Sequence, residues 1–96
     1  MYRIAILYPK TDGTTFDHDY YRDSHMPMLA DRLGDNCTSF GVDKVLDGPY
    51  EAIGYVQVDD LGRFGEAMNA HGAEIIGDVA NYTEIAPQLV VSQIVR

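Results

Sequence analysis

With 96 residues and 46% hydrophobic side chains, the chain is long and apolar enough for one folded domain, spanning residues 1–96. Its formal net charge of −8, with only seven scattered Lys and Arg residues, argues against a nucleic-acid partner and against an anionic membrane surface. No apolar run approaches the roughly 20 residues that span a bilayer, and no signal-peptide pattern precedes the first strand. Together with a single cysteine, Cys37, which excludes an internal disulfide, these features favour a cytoplasmic protein.

The first two predicted elements are a strand and a helix, separated by a turn-rich loop. The strand covers residues 2–8, where β-branched and aromatic side chains continue without a breaker until Pro9. The helix follows within residues 15–34. Asp17 suits its N-cap, where a carboxylate accepts hydrogen bonds from the free N–H groups of the first turn. Gly34 suits its end, because glycine reaches the left-handed conformation of a helix C-terminus without a steric penalty.

The interior of this helix carries two further signals. Phe16 and Tyr21 occupy the two positions of a hydrophobic staple, which fixes how the chain enters the helix. Pro27 lacks an N–H group and favours an extended conformation in the residue before it. The helix is therefore expected to kink beside His25, with Met26 outside helical angles.

The remaining chain predicts two strands joined by a turn, a helix that Gly72 interrupts, and a last strand. Their expected positions are residues 38–46, 50–58, 61–71 with a short helical continuation at 73–79, and 88–95. Asp59 or Asp60 suits the N-cap of the second helix. The resulting order, β-α-β-β-α-β, predicts an α+β, ferredoxin-like fold: a four-stranded antiparallel sheet with both helices on one face.

The other face of this sheet is expected to be covered as well. In the third strand, Ile53 and Tyr55 point to the face of the sheet opposite to that of the other apolar residues. In the fourth strand, Val90 and Ile94 do the same. A sheet face open to water is normally polar, and an apolar face usually marks an interface. A homodimer with a two-fold axis is the simplest arrangement for a chain of this length.

Two stretches of the sequence resemble a known family. Phe16-Asp17, Tyr20-Tyr21, His25 and Pro27-Met28 stand in the order Phe-Asp-x-x-Tyr-Tyr-x-x-x-His-x-Pro-Met, which resembles the opening signature of the EthD family. Residues 76–83, followed by Pro87 and a terminal strand, agree with the same family. EthD-like proteins are members of the dimeric α/β-barrel superfamily, so the resemblance implies that two ferredoxin-like sheets pair as a dimeric α/β barrel.

The resemblance also implies two classes of function. One is an enzyme that acts without a cofactor on a small hydrophobic, oxygenated metabolite, since the superfamily includes cofactor-independent oxygenases, isomerases, dehydratases and cyclases. The alternative is a non-catalytic dimer that binds such a metabolite as an accessory protein of a degradative oxygenase pathway. Because one fold serves many functions, the fold analogy alone does not distinguish the two.

His25 is the candidate catalytic residue, because imidazole titrates near neutrality and the residue stands at the family's motif histidine. The other interpretation is structural: a histidine beside a proline kink that donates to a carbonyl group freed by Pro27. The candidate substrate-binding residues are those expected to converge on a pocket next to His25, namely Tyr8, Tyr21, Tyr55, Asp78 and Tyr82. Core filling by the tyrosines and helix capping by Asp78 are the alternatives.

No resident metal or cofactor is expected. His18 and His25 lie seven residues apart in the sequence, which is about 10 Å along a helix and too far to share one ion. His71 has no ligand motif beside it. Glycine-rich phosphate loops, nucleophile elbows and dinucleotide fingerprints are absent, so the sequence carries no nicotinamide or flavin signature.

Overall fold

The computed structural model, which describes residues 1–96, contains four strands: β1 (Tyr2–Pro9), β2 (Cys37–Lys44), β3 (Tyr50–Val58) and β4 (Gln88–Gln93). The helices are α1 (His18–Tyr20), α2 (Met26–Leu33) and α3 (Leu61–Asp78), and a π-helical turn at Tyr21–His25 joins α1 to α2. Strands β2 and β4 end at residues 44 and 93 rather than at the predicted residues 46 and 95. Strand β4 ends there because its neighbour β1 begins at Tyr2, which pairs with Gln93.

The strands form one antiparallel sheet in the order β2-β3-β1-β4. Central β1 pairs with both β3 and β4, so that Ile4 lies between Val56 and Val91. Alternate side chains of β1 point toward the helices, and Ile4 and Tyr8 are almost completely buried there. This is the α+β, ferredoxin-like fold that the sequence predicts. The helices are all too short or too polar to cross a membrane.

The first helical segment begins and ends as the sequence predicts. The Asp17 carboxylate accepts a hydrogen bond from the Tyr20 N–H group at 3.0 Å and caps α1. The rings of Phe16 and Tyr21 meet edge to face, with centroids 5.3 Å apart, as the hydrophobic staple requires. Gly34 follows α2 with φ +65°, a conformation that glycine adopts without strain.

Pro27 is accommodated by the π-helical turn rather than by an extended residue. The Met26 N–H group donates to the carbonyl oxygen of Tyr21, and Met26 keeps helical angles of φ −68° and ψ −38°. The expectation that Met26 leaves the helical region is therefore wrong. The wider turn gives the pyrrolidine ring room that a regular helix denies it. The two buried residues of this turn are Tyr21 and His25.

Helix α3 continues through Gly72 without the predicted interruption. Its N-cap is Asp60, whose carboxylate accepts a hydrogen bond from the Arg63 N–H group at 3.0 Å. A glycine inside a helix costs roughly 0.5–1 kcal/mol relative to alanine. Packing of Phe64 and Ile75 against the core outweighs this cost, since burying one large apolar side chain contributes about 1.5–3 kcal/mol.

Tyr55 lies on the face of the sheet opposite the helices. In β3 the side chains of Val56 and Val58 are buried against the helices, while Ile53 and Tyr55 alternate with them. The Arg3 guanidinium, on the same face, lies 5.4 Å from the centroid of the Tyr55 ring. The prediction that Tyr55 converges on the core is wrong, because β3 is apolar on both faces and strand alternation does not reveal which face meets the helices.

The open sheet face has an apolar centre formed by Ala5, Leu7, Ile53, Tyr55 and Val90. Ala5 pairs with both Tyr55 and Val90, and Leu7 pairs with Ile53, so the five side chains are contiguous. Val90 is 47% exposed. An exposed apolar patch of contiguous residues on a sheet is typical of an interface.

Candidate functional site

An apolar cavity of about 570 Å³ lies between the sheet and α3. Eighteen residues line it, and 14 of them are hydrophobic. Ile4 and Ile6 line it from β1, while Phe64, Met68 and Ile75 line it from α3. A pocket of this size and composition suits a small, mostly apolar molecule.

The segment that follows α3 closes one side of the cavity, and residues 83–87 all line it. Hydrogen bonds attach this segment to the start of the first helical segment. The Asp17 N–H group donates to the Tyr82 carbonyl oxygen at 2.8 Å, and the Thr83 hydroxyl donates to the Thr15 carbonyl oxygen at 2.8 Å. The cavity wall therefore depends on contacts between residues that lie far apart in the sequence.

His25, the last residue of the π-helical turn, lies at the cavity wall and is only 3% exposed. Its Nδ1 atom is 2.9 Å from Oδ2 of Asp78, and this contact fixes the orientation of the imidazole ring. The other ring nitrogen, Nε2, has no hydrogen-bond partner within the protein. Nε2 is therefore the nitrogen available to a molecule in the cavity.

Asp78 ends α3 behind His25 and does not line the cavity. Its carboxylate also accepts hydrogen bonds from the Tyr20 hydroxyl at 2.7 Å and from the Asn81 side-chain amide at 2.9 Å. Burial alone would raise the pKa of the Asp78 carboxyl, but the hydrogen bonds from Tyr20, His25 and Asn81 together lower this pKa below its ordinary value. Because an ionised carboxylate only accepts hydrogen bonds, Nδ1 is a protonated nitrogen of His25.

Four aromatic rings pack together beside His25, with centroids 5.0 to 6.0 Å apart: Tyr8, Phe16, Tyr21 and Tyr82. The Tyr82 ring also lies 4.8 Å from the His25 ring, centroid to centroid. The hydroxyl oxygens of Tyr8 and Tyr82 are 2.5 Å apart and share a hydrogen bond. Tyr8 lines the cavity, whereas Tyr21 and Tyr82 lie behind its wall.

Burial raises the pKa of the phenol groups of Tyr8, Tyr21 and Tyr82 above the ordinary value of 10.0. These three hydroxyls therefore stay protonated at neutral pH. In this form they are available as hydrogen-bond donors and not as phenolate bases. The imidazole of His25 is the candidate base of the cluster.

The hydroxyl of Tyr21 lies in a notch of the sheet at Gly54. It is buried and has no hydrogen-bond partner within the protein. A Cβ atom at Gly54 would lie 2.0 Å from the Tyr21 hydroxyl oxygen, far inside van der Waals contact. The Tyr21 ring therefore fits in its position beside His25 because Gly54 has no side chain.

The structure brings five of the six predicted site residues together, namely Tyr8, Tyr21, His25, Asp78 and Tyr82. The sixth, Tyr55, lies on the other side of the sheet. Only Tyr8 and His25 line the cavity. That these residues bind or convert a ligand stays a prediction.

Sequence reasoning missed four residues of the site. Tyr20 and Asn81 hold Asp78, and Thr83 and Glu84 line the cavity. Tyr20 and Asn81 belong to the two stretches that carry the family resemblance, and this is the one signal that points to them. Local spacing does not predict a contact between residues 20 and 78, because these residues lie on different elements.

The remaining reactive side chains lie outside the cavity. The His18 Nε2 atom is 3.8 Å from a carboxylate oxygen of Glu51, and His71 lies on α3. Cys37 is half-buried, and burial raises the pKa of its thiol. No three His, Cys, Asp or Glu side chains lie close enough together to hold a metal ion.

Solved structures of other proteins share this fold, whereas neither protein-family models nor curated proteins gave a match to the sequence. An EthD family protein from Bacillus halodurans is 16% identical over 98% of both chains, with a TM-score of 0.63. An antibiotic biosynthesis monooxygenase is 11% identical over 100% of both chains, with a TM-score of 0.58. At these identities the likeness shows the fold alone.

A much closer likeness is to an EthD-like protein from Ralstonia eutropha. The two sequences are 44% identical over 99% of this chain and 92% of that protein, and their structures superpose with a TM-score of 0.94. Identity at this level, across nearly the whole of both chains, shows that this protein belongs to the EthD family.

Proposed function

We propose that the protein binds a small, mostly apolar, oxygenated molecule in the cavity and that His25 acts on it as a general acid–base group. The observation that carries the proposal is the position of His25. Its Nδ1 atom is held 2.9 Å from Asp78, while its Nε2 atom has no protein partner at the wall of an apolar cavity.

The pairing of His25 with Asp78 suits proton transfer. Because Asp78 accepts the Nδ1–H bond, the lone pair of Nε2 is free to take a proton from an acidic hydroxyl or from a carbon beside a carbonyl. The Asp78 carboxylate stabilises the imidazolium ion that forms. The same nitrogen then returns the proton to the substrate, so that the cycle leaves the protein unchanged.

Tyr8 suits the second role, which is to orient the substrate oxygen. Tyr8 lines the same cavity as His25, and its hydroxyl is paired with the Tyr82 hydroxyl. With Tyr82 as the donor in that pair, Tyr8 keeps its own proton for a ligand oxygen. A neutral phenol in this position stabilises the negative charge that develops on the oxygen of an enolate or phenolate.

The test uses 2-tetralone, a neutral two-ring ketone with acidic hydrogens on the carbon atoms beside its carbonyl. In D₂O at neutral pH, the wild-type protein is expected to exchange these hydrogens for deuterium faster than buffer alone, as followed by proton NMR. His25→Gln is expected to lower the protein-dependent exchange rate about 100-fold or more, the usual contribution of a general base. Binding of 2-tetralone, measured by calorimetry, is expected to persist in this variant.

The matched control is His71→Gln, which changes a histidine that does not line the cavity. This variant should exchange the ketone hydrogens at the wild-type rate. Binding of 2-tetralone without faster exchange in the wild-type protein would contradict catalysis and favour the non-catalytic accessory protein. Absence of binding would contradict the whole proposal.

We also propose that two copies of the chain associate through the open sheet face. Ala5, Leu7, Ile53, Tyr55 and Val90 form its contiguous apolar centre, in a chain of only 96 residues. A small domain buries a smaller share of its surface than a large one, so covering this face contributes substantially to its stability. A two-fold axis makes the same patch complementary to itself.

Sedimentation equilibrium at micromolar concentration is expected to give twice the chain mass of 10.7 kDa. Ile53→Lys, which puts a charge at the centre of the open sheet face, is expected to shift the protein toward monomer. Leu46→Lys is the matched control, because Leu46 is 90% exposed in the turn between β2 and β3 and lies outside the face. A wild-type protein that sediments as a monomer at all concentrations would contradict this arrangement.

A further inference from the structure

The walls of the cavity contain no positive charge. Among the 18 lining residues there is no Lys or Arg. Glu84 is the only acidic residue that lines the cavity, and it is also exposed to solvent. An anionic group on a ligand would therefore meet a carboxylate and no fixed cation.

Glu84 is held in place by the loop that follows β1. The Thr15 hydroxyl donates to Oε2 of Glu84 at 3.3 Å, and the Thr15 N–H group approaches the same oxygen at 3.5 Å. Glu84 also belongs to residues 83–87, the segment that forms one side of the cavity. These contacts therefore restrain the side chain of a residue that lines the cavity.

A second negative charge, that of Asp78, lies behind His25. The Asp78 carboxylate contacts Nδ1 of His25 at 2.9 Å, so that a proton gained by this imidazole is already balanced by Asp78. A ligand carboxylate at Nε2 would face this pair, which has no net positive charge to offer it. The overall charge of −8 adds a long-range repulsion of the same sign.

We infer that the cavity selects neutral ligands over carboxylates, and that Glu84 is a residue that sets this selectivity. The inference rests on the proposed function, since it concerns the ligand of the same cavity. It narrows the substrate class to uncharged apolar molecules, such as phenols, ketones or lactones, and excludes the corresponding acids. A carboxylate ligand is disfavoured because the acidic groups repel its charge and because no cation compensates for the loss of its hydration.

The test compares 2-naphthamide with 2-naphthoate, which have nearly the same shape and differ in charge. Calorimetry on the wild-type protein is expected to show tighter binding of the amide. Glu84→Gln removes the charge but keeps an oxygen that accepts from Thr15, and it is expected to reduce the amide-to-carboxylate affinity ratio about three- to tenfold. The gain should come from 2-naphthoate, with the affinity for 2-naphthamide unchanged.

The matched control is Asp59→Asn, which makes the same change in net charge at the opposite end of the sheet. Asp59 directly follows Val58, which pairs with Tyr2 at the start of β1. Glu84 instead contacts Thr15, in the loop after the end of β1. This variant should leave the affinity ratio unchanged. In the wild-type protein, raising the salt concentration from about 0.05 M to about 0.5 M should strengthen binding of 2-naphthoate only, because salt screens repulsion between charges.

Equal or tighter binding of 2-naphthoate by the wild-type protein would overturn the selectivity while leaving the proposed function intact. An affinity ratio that changes as much in Asp59→Asn as in Glu84→Gln would remove the assignment to Glu84. Failure of the protein to bind either compound would instead contradict the proposed function itself.

Discussion

Replacing Gly54 by alanine is expected to lower the free energy of unfolding by about 1–3 kcal/mol or more, the cost of overpacking a filled core. The added Cβ would lie 2.0 Å from the hydroxyl oxygen of Tyr21. Tyr21 has no free space to move into, because Tyr8, Phe16 and Tyr82 pack around its ring. Urea denaturation measured on the wild type and the variant gives the difference directly.

Two further variants separate this clash from a general effect of alanine. Gly65→Ala, in the exposed part of α3 where a Cβ meets no atom within 4 Å, is expected to stabilise the protein by up to about 1 kcal/mol. Tyr21→Phe removes the hydroxyl that has no partner and should relieve much of the cost of Gly54→Ala. Equal losses in Gly54→Ala with and without Tyr21→Phe would show that the hydroxyl is not the obstacle.

Asp78→Ala is expected to destabilise the protein by roughly 1–3 kcal/mol, since it leaves the buried Nδ1–H group of His25 without a partner. It should also abolish the protein-dependent exchange of 2-tetralone hydrogens, because the imidazole loses the group that orients it. Tyr20→Phe removes only one of the three donors to Asp78 and should have a smaller effect on both quantities. Thermal or urea unfolding, together with the exchange rate, provides the comparison.

The pH dependence of stability gives an independent check on Asp78. Its carboxyl pKa is lowered in the folded protein, so ionised Asp78 contributes stability above the unfolded pKa of about 3.9. This contribution is lost as the pH falls through the lower, folded-state pKa. The stability difference between the wild type and Asp78→Asn should therefore be largest near neutral pH and shrink in acid. A difference that grows as the pH falls would contradict the hydrogen-bond network around Asp78.

The sequence predicts best those features that depend on residues a few positions apart. Asp17 caps α1, the Phe16 and Tyr21 rings meet at its start, and Gly34 follows α2 with positive φ, all as predicted. Each of these features follows from a local steric or hydrogen-bonding rule. The β-α-β-β-α-β order follows in the same way from hydrophobic periodicity and turn residues.

The predicted break in the helix beside His25 is present as the π-helical turn. The predictions that Met26 leaves helical angles and that Gly72 interrupts α3 failed, because each local rule has more than one structural solution. Proline excludes a regular helical hydrogen bond, but a π-helical turn satisfies the same restriction and leaves Met26 helical. Glycine weakens a helix by an amount that tertiary packing readily exceeds, and α3 continues through Gly72. In both cases packing against the sheet determines which backbone conformation forms.

The candidate site required information that sequence spacing does not contain. The contact between His25 and Asp78 joins residues on two different helical segments, and its geometry depends on how both pack on the sheet. The sequence also predicts Tyr55 in the core, but the side chain of Tyr55 points to the side of the sheet opposite to that of Val56. A strand that is apolar on both faces fits either assignment, and only the position of the helices distinguishes them.

In the proposed function, Nε2 of His25 is the atom that meets the ligand in the cavity. A crystal structure of the protein with 2-naphthol tests it most directly, because this compound is neutral and presents one hydroxyl on an apolar two-ring frame. We expect the rings to lie within the cavity and the hydroxyl oxygen to lie about 2.6–3.2 Å from Nε2. A 2-naphthol molecule bound elsewhere, or bound in the cavity without contacting Nε2, would contradict it.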